Sequence, residues 1–292
     1  MSGEMRLRPV KITPDFTGAA AGSVLIECGG TRVLCTASVE ENVPPFLRGK
    51  GKGWLTAEYA MLPGATPVRK ARDFLKRDGR SVEISRLIGR CLRACVDLTR
   101  LGERTITIDC DVIEADGGTR TASVTGGFVA LCCAVAKLLD EKRLWDSPVT
   151  RPLAAVSVGI VADAPTLDLC YAQDSRAQAD MNVCMSRGAD GALEYVEIQG
   201  TGEGRAYTKS ELDALLKLAE TGIEKLMAAQ TEALGERARV IGKKPTLVLA
   251  SGNKGKLVEM RTLLGDRFDV KSMKELGIDI DVEETGTTFS EN

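Results

Sequence analysis

The chain has 292 residues, 43% of them hydrophobic and 27% charged, with a net charge of −2. That balance supplies a packed core for one large domain or two smaller ones and leaves no global basic excess, so any nucleic-acid site has to be a local patch. There is no histidine, which excludes Ser-His-Asp and Cys-His catalysis and every histidine-ligated metal, and leaves the chemistry to carboxylates, Arg, Lys, Ser, Thr and hard cations such as Mg²⁺.

In chain order, Ser23–Cys28 and Thr31–Thr36 read as a hairpin closed by the two-residue turn Gly29-Gly30. Residues 48–80 are rich in Gly, Lys and Arg and carry Pro63 and Pro67, which predicts loops and a mobile basic arm. Over 82–98 the apolar positions Ile84, Leu87, Ile88, Cys91, Leu92 and Cys95 have helical spacing. Thr105–Ile113 alternates and is a predicted strand. Ala122–Leu139 is almost wholly apolar and predicts a buried helix, with Gly126-Gly127 arguing against a membrane span.

A second series follows, with strands predicted at Ala154–Val161, Leu167–Tyr171, Met181–Met185 and Tyr195–Gln199. Thr208-Lys-Ser-Glu211 is a capping box that opens a long amphipathic helix to about Leu234, with Gly235 as its C-cap. Strands then helix, twice over, predict an α+β sandwich of two comparable halves. Glu236–Lys244 reads as a charged linker, Thr246–Ala250 as a strand and Lys254–Leu264 as a helix. The expected division is therefore 1–236, a linker at 237–244, and an incomplete second domain at 245–292. The incomplete sheet edge there is an expected aggregation site.

The nine cysteines lie mostly in apolar runs such as Ala130-Leu131-Cys132-Cys133-Ala134 and read as reduced, buried thiols. Cys91 and Cys95 lack a second pair at zinc spacing, which argues against structural zinc. No signal peptide precedes Arg6 and no apolar run reaches the roughly 18 residues of a membrane span, so a cytoplasmic protein without a membrane partner is expected.

Three segments carry chemistry. Asp116-Gly-Gly-Thr-Arg-Thr-Ala-Ser123 joins a strand to an apolar helix. Its glycines, free N–H groups, Thr119 and Arg120 suit an anion, and an ordinary Thr-capped turn explains it equally well. Arg69–Arg80 is strongly basic; it suits a phosphodiester backbone or a solvated charged loop, and Arg80, next to a helix start, is placed to point into a site. Asp174 and Asp180 flank one connection and suit a shared Mg²⁺ or general-acid work, although aspartates are common in loops. Gly49–Gly53 and Gly252–Lys256 lack the P-loop spacing, and Leu257 stands where a Mg²⁺-binding Ser or Thr belongs.

Taken together, residues from about Arg8 to Leu234 resemble the ribonuclease PH family. The resemblance is carried by Arg8-Pro9, Gly22–Leu25, Val33–Ser38, Gly53–Tyr59 with Met61–Pro63, and Gly79-Arg80. It continues in Thr107–Ile113, Ala115–Ser123, Ala154–Ile160, Asp180–Val183 and Gln199-Gly-Thr. It implies a duplicated βαβα-type ribonuclease PH fold and a hexamer built as a trimer of dimers. The implied activity is phosphorolytic 3′→5′ trimming of tRNA, and of rRNA, with inorganic phosphate as co-substrate and nucleoside 5′-diphosphates as product. The reverse addition of nucleotides is implied too. By the same likeness Arg80, Gly118, Thr119 and Arg120 are phosphate-binding positions, Asp174 and Asp180 are catalytic and Mg²⁺-binding positions, and Arg69 and Arg72 grip RNA. The stretch before Arg8 departs from the family in lacking its arginine-bearing extension.

The tail resembles a second family, the non-canonical purine nucleoside triphosphate pyrophosphatases, through Leu249–Lys256, Glu259 and Glu283–Asn292. Ser251–Lys256 match that family's nucleotide-phosphate loop and Glu283 a metal-site position. The family's catalytic aspartate falls beyond Asn292, so no pyrophosphatase activity is expected from this chain; a bifunctional parent or a truncated sequence is implied. Two rival readings stand beside the leading one: an inactive RNA-binding ring subunit, and a nucleotide-pool pyrophosphatase.

Overall fold

A computed structural model describes residues 6–72, 78–242, 244, 246–265 and 268–278. The chain divides into two units at Lys243/Lys244.

In the first unit, β1 (Val10–Pro14), β2 (Gly22–Cys28), β3 (Thr31–Glu40), β4 (Trp54–Met61) and β5 (Thr105–Glu114) form one sheet in the order β1-β2-β3-β5-β4. Its pairs are antiparallel except β4 with β5. A second sheet, β7-β6-β8-β9, is antiparallel and comprises β6 (Leu153–Val161), β7 (Ala164–Leu167), β8 (Ala179–Arg187) and β9 (Leu193–Thr201). The helices are α1 (Gly79–Arg93), the single turn α2 (Leu98–Leu101), α3 (Thr119–Asp140), the single turn α4 (Tyr171–Asp174) and α5 (Lys209–Leu234). Each sheet is followed by a long helix, which gives the α+β arrangement of two related halves.

Helix α3 lies against β2 and β3 of the larger sheet and β6 of the smaller. A helix covered on opposite sides has to be apolar all round, and α3 is buried from Thr121 to Ala136. It has the length and hydropathy of a membrane span, yet its apolar surface is consumed inside the fold. Gly126-Gly127 does not break it. A Cβ on Gly126 would stand 2.7 Å from Ile26 and 2.9 Å from the Cys35 sulfur, so the glycines let the helix approach the sheet.

Several predicted elements change. Residues 48–80 contain β4, whose inward Leu55, Ala57 and Tyr59 alternate with outward residues and pair with β5. The helix expected over 82–98 starts at Gly79 and stops at Arg93. The strand expected over 167–171 is not formed. Asp168 takes a left-handed conformation, φ 56°, which ends β7 and turns the chain into α4. The linker expected at 237–244 begins as packed structure: Gly235–Val240 is a 3₁₀ helix with Val240 fully buried. Ser147 also donates to the Val240 carbonyl.

The second unit, by itself, holds β10 (Thr246–Leu249), α6 (Lys254–Leu264) and β11 (Asp269–Ser272), with β10 and β11 parallel. Asn253 caps α6 by accepting from Gly255 at 2.8 Å and Lys256 at 3.3 Å. Glu283 and the string to Asn292 lie outside the described residues.

Candidate active site

One cleft, about 560 Å³ in volume, is lined by Arg80, Gly117, Gly118, Thr119, Arg120, Tyr171, Asp174, Asp180 and Asn182 among others. It brings together six of the eight residues picked from sequence. Arg69 and Arg72 are exposed on the segment leading to α1 and do not line it. Their neighbour Lys70 does, with its ammonium 3.1 Å from Asp78. The rest of that basic arm, residues 73–77, lies outside the described residues.

The floor is the turn from β5 into α3. Gly117 and Gly118 both have positive φ, 77° and 65°. Two successive residues in that region favour glycine, and they place the free N–H groups of the first turn of α3 beside the cleft. Gly117 has a second role. A Cβ there would lie 2.4 Å from the Leu169 carbonyl and 2.8 Å from the Tyr171 nitrogen, so only glycine admits the connection that carries Asp174.

Two networks hold the side chains. The Thr119 hydroxyl meets the buried Tyr59 phenol at 2.8 Å, and burial pushes that phenol's pKa up. Arg120 donates to the Gln199 carbonyl oxygen at 3.2 Å, and the Gln199 amide donates to Glu83 at 3.0 Å. Arg120 on α3 is thereby tied to both β9 and α1.

Beneath the turn, Arg8 donates to Asp168 and, at 2.6 Å, to the Asp116 carbonyl. The Thr31 hydroxyl donates to the Gly117 carbonyl at 2.6 Å, and Asp116 accepts from the Tyr171 N–H at 3.1 Å. Sequence reading assigned no role to Arg8, Tyr59, Asp168, Tyr171 or Gln199. Arg8, Tyr59 and Gln199 did stand inside matching strings, which was the signal available.

The carboxylates differ. Asp174 stands at the cleft wall, where partial burial first and the charge of Asp180 second push its carboxyl above the usual range, against the pull of Arg120 and Arg80. The Asp180 Oδ1 is buried and has no hydrogen-bond partner. An orphaned carboxylate oxygen beside a second carboxylate fits a divalent cation. Among the described residues no set of three or more His, Cys, Asp or Glu forms a metal cage. Two carboxylates completed by water and substrate phosphate is the way Mg²⁺ is commonly held, so the residues present fit that ion.

Comparison with known proteins identifies the family. Residues 6–137 match the model of the 3′ exoribonuclease family, domain 1, and residues 151–222 match its domain 2. Residues 247–292 match the Ham1 family. Over 231 residues the chain is 54% identical to ribonuclease PH of Crocosphaera subtropica, covering 79% of this chain and 95% of the relative. The chain therefore belongs to the ribonuclease PH family of 3′ exoribonucleases. Two solved structures share the fold. An Archaeoglobus fulgidus exosome with RNA bound to the active site has a TM-score of 0.65 and 21% identity, over 77% of this chain and 89% of that one. An archaeal exosome core has a TM-score of 0.62 and 21% identity, over 78% and 89%.

Proposed function

We propose that this chain removes nucleotides from RNA 3′ ends, tRNA foremost and rRNA with it, by phosphorolysis. The observation that carries the reading is the single cleft in which two arginines, a helix start and two unlike carboxylates converge without any histidine.

Inorganic phosphate is received by the N–H groups at the start of α3 with Arg80 and Arg120 beside it. These cations offset the charge of the nucleophile and of the phosphorus under attack. A phosphate oxygen bonds to the phosphorus of the terminal phosphodiester and the bond from that phosphorus to the 3′-oxygen breaks. The products are a nucleoside 5′-diphosphate and an RNA one residue shorter. Asp174, with its raised pKa, is the group suited to give a proton to the departing 3′-oxygen. Alternatively, Asp180, with its unpartnered oxygen, and an ionised Asp174 would hold Mg²⁺, which when bound supplies charge stabilisation in place of that proton. One phosphate linkage replaces another, so the reaction also runs backwards from diphosphates.

The two solved structures of this fold come from exosomes, which supports an oligomer here, for which the reading is a homo-hexamer arranged as a trimer of dimers. The nine cysteines, all free, support a reducing compartment, the cytoplasm. The test is a tRNA carrying extra 3′ nucleotides, incubated with and without phosphate. Diphosphates released only with phosphate are expected. Monophosphates reject the reading in favour of hydrolysis, and no product at all returns the chain to a subunit that binds RNA without cutting it.

A further inference from the structure

We infer that Tyr171 is the platform on which the base of the terminal RNA nucleotide stacks, forming a subsite that accepts any base. The inference rests on the phosphorolysis reading above and names the part of the cleft that holds the nucleoside. Tyr171 is 64% exposed although it lines the cleft. A large aromatic ring open to water in a concave polar site forgoes the burial that ordinarily stabilises it, and a flat π-surface in such a place suits a planar ligand.

Its position fits the chemistry beside it. Tyr171 opens α4 and Asp174 closes it, so the two are three residues apart on one helical turn. Residues at that spacing share a face, with Cβ atoms about 5–6 Å apart. Asp174 and Ser175 line the same cleft. A nucleotide whose phosphorus lies between Arg120 and Asp174 places its base roughly one helical turn away, at the level of the ring.

The platform is also fixed relative to the phosphate turn. The Tyr171 N–H donates to Asp116, and the missing side chain of Gly117 lets the Leu169–Tyr171 backbone rest on the turn itself. The Tyr171 backbone and the turn therefore hold one mutual position, which sets the distance from the ring's point of attachment to the anion site. Every base has a π-face, so stacking binds all four alike. An enzyme that shortens RNA one residue at a time needs that tolerance at its terminal subsite.

The experiment uses the full chain and RNA oligonucleotides ending in 2-aminopurine, titrated without phosphate so that nothing turns over. Quenching of the fluorophore is expected in the unaltered protein and in Tyr171→Phe. In Tyr171→Ala the quench is lost and the RNA Kd rises about tenfold, while in separate turnover assays the phosphate KM stays put. An abasic 3′ residue should weaken binding to the unaltered protein and leave Tyr171→Ala unaffected. Full quenching by Tyr171→Ala, or an equal abasic penalty in both proteins, overturns the inference. So does a quench retained while Tyr171→Ala disrupts assembly in sedimentation, which would make the ring a contact between copies. The quench is read without phosphate. Quenching with no diphosphate released on adding phosphate would therefore reject phosphorolysis and keep the subsite.

Discussion

Arg8 and Asp168, 160 residues apart in the chain, meet in a forked ion pair beneath the Gly117-Gly118 turn, with Nη2 to Oδ1 at 2.6 Å and Nε to Oδ2 at 3.0 Å. The Arg8 backbone N–H adds a third bond to Oδ2 at 3.0 Å. The side chains are only 15% and 7% exposed. The pair joins the segment before β1 to the connection that leads to Asp174, and its remaining guanidinium nitrogen holds the Asp116 carbonyl.

Removing Arg8 leaves the buried Asp168 charge without its cation, and removing Asp168 leaves the Arg8 guanidinium with only Asp116. Arg8→Ala or Asp168→Ala is expected to cost about 3 kcal/mol of stability, and the double variant less than the sum of the two. Urea unfolding of the three proteins measures this. Additive losses would mean that the pair is not coupled. Because Arg8 supports the turn rather than the phosphate, activity should fall through a higher phosphate KM, with kcat moving less.

Arg120 is expected to behave differently. Its guanidinium faces the cleft and is oriented by Gln199. Arg120→Ala should lower kcat/KM by about 3 kcal/mol, roughly a hundredfold or more, with folding stability nearly unchanged. Gln199→Leu, which removes the orienting acceptor together with the bond to Glu83, should show a smaller loss of the same kind. An unchanged rate for Arg120→Ala at saturating phosphate and RNA would take that residue out of the transition state.

The contrast between these two arginines shows what the sequence could reveal. Arg120 is in a compact string, Gly-Gly-Thr-Arg, whose glycines and helix start suit an anion site locally, as they equally suit an ordinary capped turn. Arg8 has no local signature, because its partner lies in the other half of the chain and Asp168 is placed by a left-handed backbone. Tyr59 and Gln199 are hidden for the same reason: their partners belong to other elements. The fold behaved likewise. Hairpin, capping box and buried helix are local patterns and stand close to where periodicity puts them. Strand β4 was obscured by the Gly, Lys and Arg around it, and its pairing with β5 is parallel and distant. The strand expected over 167–171 failed because apolar spacing does not reveal a single left-handed residue.

Asp174 yields a pH prediction. Its folded pKa is raised, by partial burial first and by Asp180 second. A raised carboxyl binds its proton more tightly in the folded state. Stability from this group is therefore highest below the ordinary aspartate pKa of about 4 and falls as pH rises through the folded value. Asp174→Asn should then unfold at a higher temperature than the unaltered protein at neutral pH, with the gap closing near pH 3–4, and should lose activity. Added Mg²⁺ should raise the melting temperature of the unaltered protein more than that of the variant. A variant no more stable at pH 7 would contradict the sign.

Gly117→Ala tests the contact between turn and connection. The position has φ 77°, and a Cβ would meet three backbone atoms within 2.8 Å. A side chain there has to displace the Leu169–Tyr171 segment, at a cost of about 2 kcal/mol or more. Activity should drop further than stability does, because the displaced segment carries Asp174. Gly191→Ala is the control: its φ is 84° but nothing lies within 4 Å. It should share the backbone strain and spare the activity. Equal activity losses at both positions would refute the role given to the close approach.

The boundary of the first unit gives the last prediction. Composition reads 237–244 as a linker, yet Arg237 makes a forked ion pair with Asp15 at 2.8 and 2.9 Å, and Val240 is fully buried. Gly242 also donates to the Val149 carbonyl at 3.0 Å. Arg237 and Asp15 are partly open to water, so the pair adds little, and most of the contribution comes from burying Val240 and Ile241. A chain ended after Glu236 should be about 2–4 kcal/mol less stable than one ended after Lys243. Calorimetry on the two truncations decides it. If they melt together, the segment is a linker after all and the composition reading was right. If the shorter one melts first, comparing assembly with and without the tail requires the cut at Lys243, since a cut at Glu236 would confuse loss of the tail with damage to the first unit's own core.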